Sequence, residues 1–179
     1  MKHIIALLLA FVMMMVLCSC GSSKQEEVLQ ENAESQTEAP VITKAEPKTA
    51  LKEIYAQLDR STGLVDADDD VVCDVMGFDL ETIDEYYIRY METDFGASDV
   101  YIIKPKSDEY ETVREVLKAW QESRIRSFSG YDIYNSTKIS ENAVIFRRGE
   151  YLIMLMLEDN EAARSIIETY IPEELNLEN

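Results

Sequence analysis

The stretch NAVIFRRGEYLIMLMLED, from Asn142 to Asp159, decides how the chain folds. Two apolar runs, Ala143–Phe146 and Tyr151–Leu157, flank the short polar segment Arg147–Glu150. Gly149 suits the positive φ that tight hairpin turns require, so the pattern predicts a β-hairpin. Tyr151–Leu157 is apolar at every position, which predicts a central strand with little solvent on either face.

A second hairpin is predicted earlier in the chain. DEYYIRYM, Asp84–Met91, alternates in the manner of a strand, and DVYIIKP, Asp99–Pro105, follows after the short segment ETDFGAS. Proline cannot donate to a sheet ladder, so Pro105 ends the second strand. We expect these two strands to pair with each other.

Three helices surround the hairpins. Leu51, Ile54, Tyr55 and Leu58 form one helical stripe, Ser107–Phe128 is the longest helical pattern, and a last helix begins at Asn160. The segment 129–142 is predicted to be a loop. The order helix, hairpin, long helix, hairpin, helix predicts an α+β two-layer sandwich. Its mainly antiparallel sheet has four strands, from two hairpins joined by the long helix, and its helices pack on one face.

The N-terminus has the pattern of a secretory signal. Ile4–Leu17 is apolar, follows Lys2 and is shorter than a membrane-spanning helix. Leu17-Cys18-Ser19-Cys20 resembles a bacterial lipobox, which implies that residues 1–19 are removed and that Cys20 receives a diacylglycerol. The alternatives are a signal cut without lipidation and a metal clip at Cys18 and Cys20, for which the nearby sequence offers no further ligands.

A lipidated Cys20 fixes an expected location and domain order. Two acyl chains suffice for stable membrane anchoring, so the partner of Cys20 is the cell membrane, at its extracytoplasmic face. Residues 20–47 are rich in Glu, Gln, Ser and Ala, which predicts a disordered acidic tether. Residues 48–177 are predicted to form a single α+β domain.

Charge and composition exclude several functions. Removing residues 1–19, whose only formal charge is Lys2, takes the net charge from −18 to −19, which argues against nucleic acid as a partner. The only histidine, His3, leaves with the signal, so hydrolases that rely on histidine are excluded and no enzyme, cofactor or metal site is predicted. Asp66, Asp68 and Asp70 resemble the start of a calcium loop, but the glycine and glutamate that such loops need further on are absent.

The remaining composition favours a binding protein. We predict a non-catalytic module that binds a protein or a cell-wall component of the envelope. Tyrosine suits interfaces, and the candidate surface consists of Tyr86, Tyr87, Tyr90, Tyr131 and Tyr134. Core or cross-strand packing is the alternative reading of each tyrosine. A small-ligand or cation binder at the membrane surface and a carboxylate-based hydrolase remain as alternative functions.

A family resemblance accompanies this order of elements. The carrying segments are DEYYIRYM, DVYIIKP, the long helix running into SFSGY, and the hairpin NAVIFRRGEYLIMLML. Together with the lipobox and acidic tether, they resemble the small bacterial lipoproteins of the domain of unknown function 4358 family, over about Asp74 to Tyr170. That family occurs mostly in Gram-positive bacteria of the gut. The resemblance implies a fold and a location and carries no activity.

Overall fold

The computed structural model of the chain describes residues 44–58 and 61–173. The predicted signal peptide, Cys20 and nearly all of the predicted tether lie outside these residues. So do residues 174–177 at the end of the predicted domain. Among the described residues, no helix combines the length and the apolarity needed to cross a membrane.

The described residues contain one antiparallel sheet of five strands. The strands are β1 (Leu64–Asp66), β2 (Ile83–Met91), β3 (Asp99–Pro105), β4 (Val144–Arg148) and β5 (Tyr151–Met156). Their order across the sheet is β1-β2-β3-β5-β4. Both predicted hairpins are therefore confirmed, as β2 with β3 and β4 with β5, and the two are joined through β3 and β5.

Within residues 44–58 and 61–173, four α-helices accompany the sheet. They are α1 (Pro47–Ala56), α2 (Tyr110–Phe128), α3 (Ser136–Glu141) and α4 (Asn160–Tyr170). A five-residue π-helical turn, Val71–Val75, lies between β1 and β2. The helix α3 occupies part of the segment that the sequence predicts to be a loop.

Apolar side chains cover both faces of the sheet. On one face, Val113, Leu117 and Phe128 of α2 and Ile139 of α3 pack with Tyr101, Ile103, Leu152, Met154 and Met156 of the sheet. On the other face, Ala50, Leu51 and Ile54 of α1 and Ala163 and Ile167 of α4 pack with Val100, Ile102, Ile153 and Leu155. Successive residues of β5 thus enter opposite clusters, as the period of two in a strand requires.

Two parts of the predicted architecture are wrong. The sheet has five strands, because β1 pairs with the end of β2; three residues beside an aspartate-rich stretch are too few to show a strand pattern. The helices pack on both faces. The uninterrupted apolar run of β5 already requires this arrangement, since a strand without solvent on either side must be covered on both.

The turn of the second hairpin has the positive φ that the sequence predicts for its glycine. Gly149 has a φ of +55°, and the strands on either side are paired up to Arg148 and Tyr151. A Cβ at position 149 would lie 2.7 Å from the carbonyl oxygen of Pro172. Both the backbone angle and the close approach therefore require glycine at this position.

Candidate functional site

A groove lies between α1 and the outer edge of β2. We call it the edge groove; it is lined by Lys48, Leu51, Lys52, Asp66, Ala67, Tyr86, Tyr87, Ile88 and Arg89 and has a volume of about 300 Å³. A second cavity of about 400 Å³ shares Lys52, Asp66 and Arg89 with it and continues past Tyr55 to Leu64. The two cavities therefore form one path along α1.

The edge groove opens onto the backbone of β2. Tyr86 packs against the cluster under α2, whereas Tyr87 packs against the cluster under α1. The two side chains point to opposite faces of the sheet, yet both line the groove. The four consecutive residues Tyr86–Arg89 line the groove together with Asp66 and Ala67, so the groove borders the main chain of β2 where β1 ends.

That edge is unpaired over much of its length. β1 pairs with β2 only from Arg89 to Met91, and the N–H of Ala67 donates to the carbonyl oxygen of Ile88 at 3.0 Å. Backbone groups alternate between the two sides of a strand, so the N–H and C=O of Tyr86 point the same way as those of Ile88. Within residues 44–58 and 61–173, no strand lies beside this side of Ile83–Tyr87.

In the groove the arginine is paired with a carboxylate, whereas the two lysines are not. Arg89 donates twice to Asp66, from Nε at 2.6 Å and from Nη2 at 2.8 Å, and these bonds lower the pKa of Asp66. The Arg89 guanidinium also lies 5.4 Å from the ring centre of Tyr55. Lys48 and Lys52, one helical turn apart on α1, have no ion pair within 4 Å among the described residues.

The groove's tyrosines are held by carboxylates. The Tyr86 hydroxyl donates to Asp69, and burial together with this bond raises the pKa of Tyr86 to about 12. The Tyr87 hydroxyl donates to Glu85 at 3.0 Å, and Tyr151 donates to the other oxygen of the same carboxylate. The Tyr86 side of the groove therefore carries the Asp69 carboxylate, whereas the α1 side carries two ammonium groups together with the Glu85 carboxylate, which Tyr87 and Tyr151 hold.

The five predicted tyrosines do not converge on one cavity among those found in the described part of the chain. Tyr86 and Tyr87 line the edge groove, and Tyr90 is half-buried against the cluster under α2. Tyr131 and Tyr134 are exposed in the turns between α2 and α3, at 76% and 68%. Tyr134 also has a left-handed backbone, with a φ of +49°. Binding through these tyrosines stays a prediction.

Lys48, Lys52 and Arg89 were not among the predicted site residues. Their sequence signal is weak, because two lysines four residues apart on a helix normally form a solvated face. Only the structure shows that this face borders an open strand edge. Residues after Pro47 carry a net charge of −15. Lys44, Lys106 and Lys138 also have no ion pair among the described residues, so Lys48 and Lys52 differ from them by lining the groove.

A buried polar network lies beyond the groove and is closed to solvent. Arg124 lies 3.0 Å from Asp99, through Nε and Oδ2, with side chains 3% and 0% exposed. Arg124 also donates to the carbonyl oxygens of Met91 and Gly96, both at 2.9 Å. Asp99 accepts from Tyr101 at 3.2 Å. These bonds hold the connection between β2 and β3, so we assign the network to the fold.

Arg124 was not among the predicted core or site residues. Val113, Leu117, Arg124 and Phe128 are the buried residues of α2. Their spacing, in steps of four and seven, places Arg124 on the buried stripe, and this spacing was the signal that could have found it.

Acidic residues near the groove have local structural roles. Asp68 accepts from the N–H of Val71 at 2.9 Å, at the start of the π-helical turn. Within the described residues, no group of three or more His, Cys, Asp or Glu side chains is placed to hold a metal ion. Cys73 is a half-buried free thiol in the same turn.

Comparison with known proteins gives a family and nothing closer. No curated protein and no solved structure matches the chain. A family model described as "Domain of unknown function (DUF4358)" matches residues 56–157, which is more than half of the chain. The match extends from the end of α1 to the residue after β5, and so includes all five strands. The chain therefore belongs to the DUF4358 family.

Proposed function

We propose that this protein is a lipid-anchored, extracytoplasmic module that binds a polypeptide of the cell envelope through the edge groove. The observation that carries the proposal is the unpaired edge of β2, from Ile83 to Tyr87, opening into a groove of about 300 Å³. An open edge offers main-chain hydrogen bonds, and an adjoining groove accepts side chains. This combination is the arrangement used for peptide recognition by strand addition.

The size of the edge suits a short extended segment. Five strand residues span roughly 17 Å at about 3.4 Å per residue. The second cavity adjoins the groove between α1 and β1. Leu51 and Ile88 also line the groove, although both are largely buried.

The anchoring part of the proposal is supported by the sequence. Ile4–Leu17 followed by Leu17-Cys18-Ser19-Cys20 fits a lipoprotein signal. A module held at the membrane by Cys20 meets partners in the envelope. Intact mass of the membrane fraction tests this part: we expect a chain beginning at Cys20 with a diacylglycerol increment, absent in Cys20→Ala. An unmodified chain shed into the medium would contradict anchoring.

The binding part is tested by closing the edge. Tyr86→Pro removes an N–H that faces away from β3 and that the sheet does not use. Tyr86→Ala is the matched control, because it removes the same side chain and keeps the N–H. We expect co-purification of envelope polypeptides from detergent-solubilised membranes to be lost in Tyr86→Pro and to fall less in Tyr86→Ala, which loses only the contacts of the side chain.

A folding measurement and a second variant keep this test decisive. Near-ultraviolet circular dichroism shows whether Tyr86→Pro is folded. If it is not, Lys52→Trp is used instead, because Lys52 is an exposed residue that lines the groove from α1, where a bulky side chain would narrow it. Equal recovery of partners by the wild type and by a folded, edge-blocked variant would refute binding at this edge.

A further inference from the structure

We infer that the segment bound in the edge groove is an extended strand with acidic side chains at alternate positions, which pair with Lys48 and Lys52. This inference rests on the proposed function and names the chemistry of the partner. It follows from the period of a strand and from the distribution of charge on the two sides of β2.

The period of two determines what each side of an added strand meets. Side chains of a strand placed beside Ile83–Tyr87 would alternate between the two faces of the sheet. Those on the α1 side would face Leu51, Lys48 and Lys52, which line the groove. Those on the other side would face Tyr86 and its partner Asp69. The bound strand therefore needs different chemistry on its two sides.

The α1 side favours carboxylates. Arg89 is already paired with Asp66 by two hydrogen bonds, whereas neither Lys48 nor Lys52 has an ion pair among the described residues. Lysines at positions i and i+4 project from the same side of a helix, so both can reach one strand. Glu85 also lies on the α1 side, where Tyr87 and Tyr151 bond its carboxylate, so Lys48 and Lys52 are the groups that favour an acid there. On the opposite side, the carboxylate of Asp69 disfavours an acidic side chain.

A second copy of this chain fits the groove poorly. Two copies pairing antiparallel through β2 would be related by a two-fold axis perpendicular to the sheet. The same faces would then adjoin across the axis. Lys48 and Lys52 would face their own copies, and so would Asp69, which sets like charges opposite one another. Charge complementarity therefore favours a separate acidic polypeptide.

The inference is tested with three labelled twelve-residue peptides, in which threonine alternates with glutamate, serine or lysine. Their binding to the full mature chain in detergent is followed by fluorescence anisotropy. We expect Lys48→Glu/Lys52→Glu to weaken binding of the glutamate peptide about tenfold. The matched control, Lys118→Glu/Lys138→Glu, makes the same charge change on α2 and α3, and we expect less than about a twofold loss.

The outcomes separate this inference from the proposed function. Equal losses in the two double variants would overturn the inference, because only the overall charge would matter. Equal binding of the glutamate and serine peptides, both lost in Tyr86→Pro, would overturn the acidic requirement and leave edge binding intact. If none of the three peptides bound the wild-type chain, the result would count against both the inference and the proposed function.

Further measurements address other occupants. Dimerisation in sedimentation that Tyr86→Pro abolishes would identify a second copy and overturn the inference. If citrate displaced the glutamate peptide and Tyr86→Pro did not change peptide binding, the groove would be a small-anion site. That result would also overturn the inference. If Lys48→Glu/Lys52→Glu does not fold, Lys48→Gln/Lys52→Gln replaces it with the same expected direction.

Discussion

Arg124 shows at the scale of one residue how this fold uses buried charge. Its guanidinium bonds Asp99 and two main-chain carbonyl oxygens in a place closed to solvent. Burial raises the pKa of Asp99, and the nearby Arg124 opposes that rise. Removing one member of such a pair leaves the other charged, buried and uncompensated.

Arg124→Ala is therefore expected to lower the free energy of unfolding by about 3–5 kcal/mol. Arg126→Ala, which removes an exposed arginine from the same helix, is the control and should cost less than about 1 kcal/mol. Urea denaturation measures both. Similar small effects in the two variants would show that the buried pair does not hold the connection between β2 and β3.

Buried tyrosines predict the alkaline limit of stability. Burial raises the pKa values of Tyr55 and Tyr101 well above the ordinary value of about 10. A tyrosine whose pKa is higher in the folded state stabilises the fold fully below pH 10. That contribution is lost as the pH rises from the unfolded pKa through the folded one.

We accordingly expect the free energy of unfolding to fall steadily above about pH 10. In Tyr101→Phe the decline with pH should be shallower, although the variant is less stable at neutral pH because the Asp99 bond is lost. Urea titrations at a series of pH values give the slopes. Tyr131→Phe, at an exposed position, should keep the wild-type slope; an unchanged slope in Tyr101→Phe would contradict this account.

At the scale of elements, glycines differ in two respects: whether the backbone needs a positive φ, and whether a neighbouring atom leaves no room for a Cβ. Gly149 combines a φ of +55° with a close approach to Pro172, Gly77 has a φ of +82° and open space, and Gly130 has open space and no positive φ. Substitution by alanine should therefore cost most at 149, about 1 kcal/mol at 77, and little at 130. Thermal denaturation of the three variants checks this order, and a 149 variant as stable as the 130 variant would contradict it.

The helices and strands also differ in how far each could be predicted from the sequence. The hairpins were predicted because the alternation over Asp84–Met91 and the apolar runs on either side of Arg147–Glu150 are strong signals, and Gly149 marks the turn. β1 was missed because three residues beside Asp66 show no periodicity. The edge groove could not be predicted, since Lys52 and Tyr86 are distant in sequence and line one cavity only because α1 packs against β2.

At the scale of the whole molecule, the family match is shorter than the folded unit. It spans 56–157, whereas α1 ends at Ala56 and α4 begins at Asn160. These two helices cover one entire face of the sheet through Ile54, Ile167 and their neighbours. A β-sheet with one apolar face left uncovered by helices is not expected to form a stable core.

Residues 56–157 alone should therefore fail to fold, whereas residues 44–173 should fold cooperatively. Amide dispersion in a two-dimensional NMR spectrum distinguishes the two outcomes. Within the longer chain, Ile54→Ala should cost about 2–5 kcal/mol, because this side chain is 2% exposed. A well-dispersed spectrum from 56–157 would contradict the role given to α1 and α4.

The most direct test of the central claim is site-specific photocross-linking from the membrane-anchored chain in living cells. A photoreactive amino acid at Lys52 lies in the edge groove, and one at Lys118, on the exposed side of α2, is the control. We predict that position 52 cross-links a polypeptide at an acidic extended segment, that position 118 does not, and that Tyr86→Pro abolishes the product. The same cross-links from both positions, or a product that persists in Tyr86→Pro, would contradict the claim that the edge of β2 binds the partner.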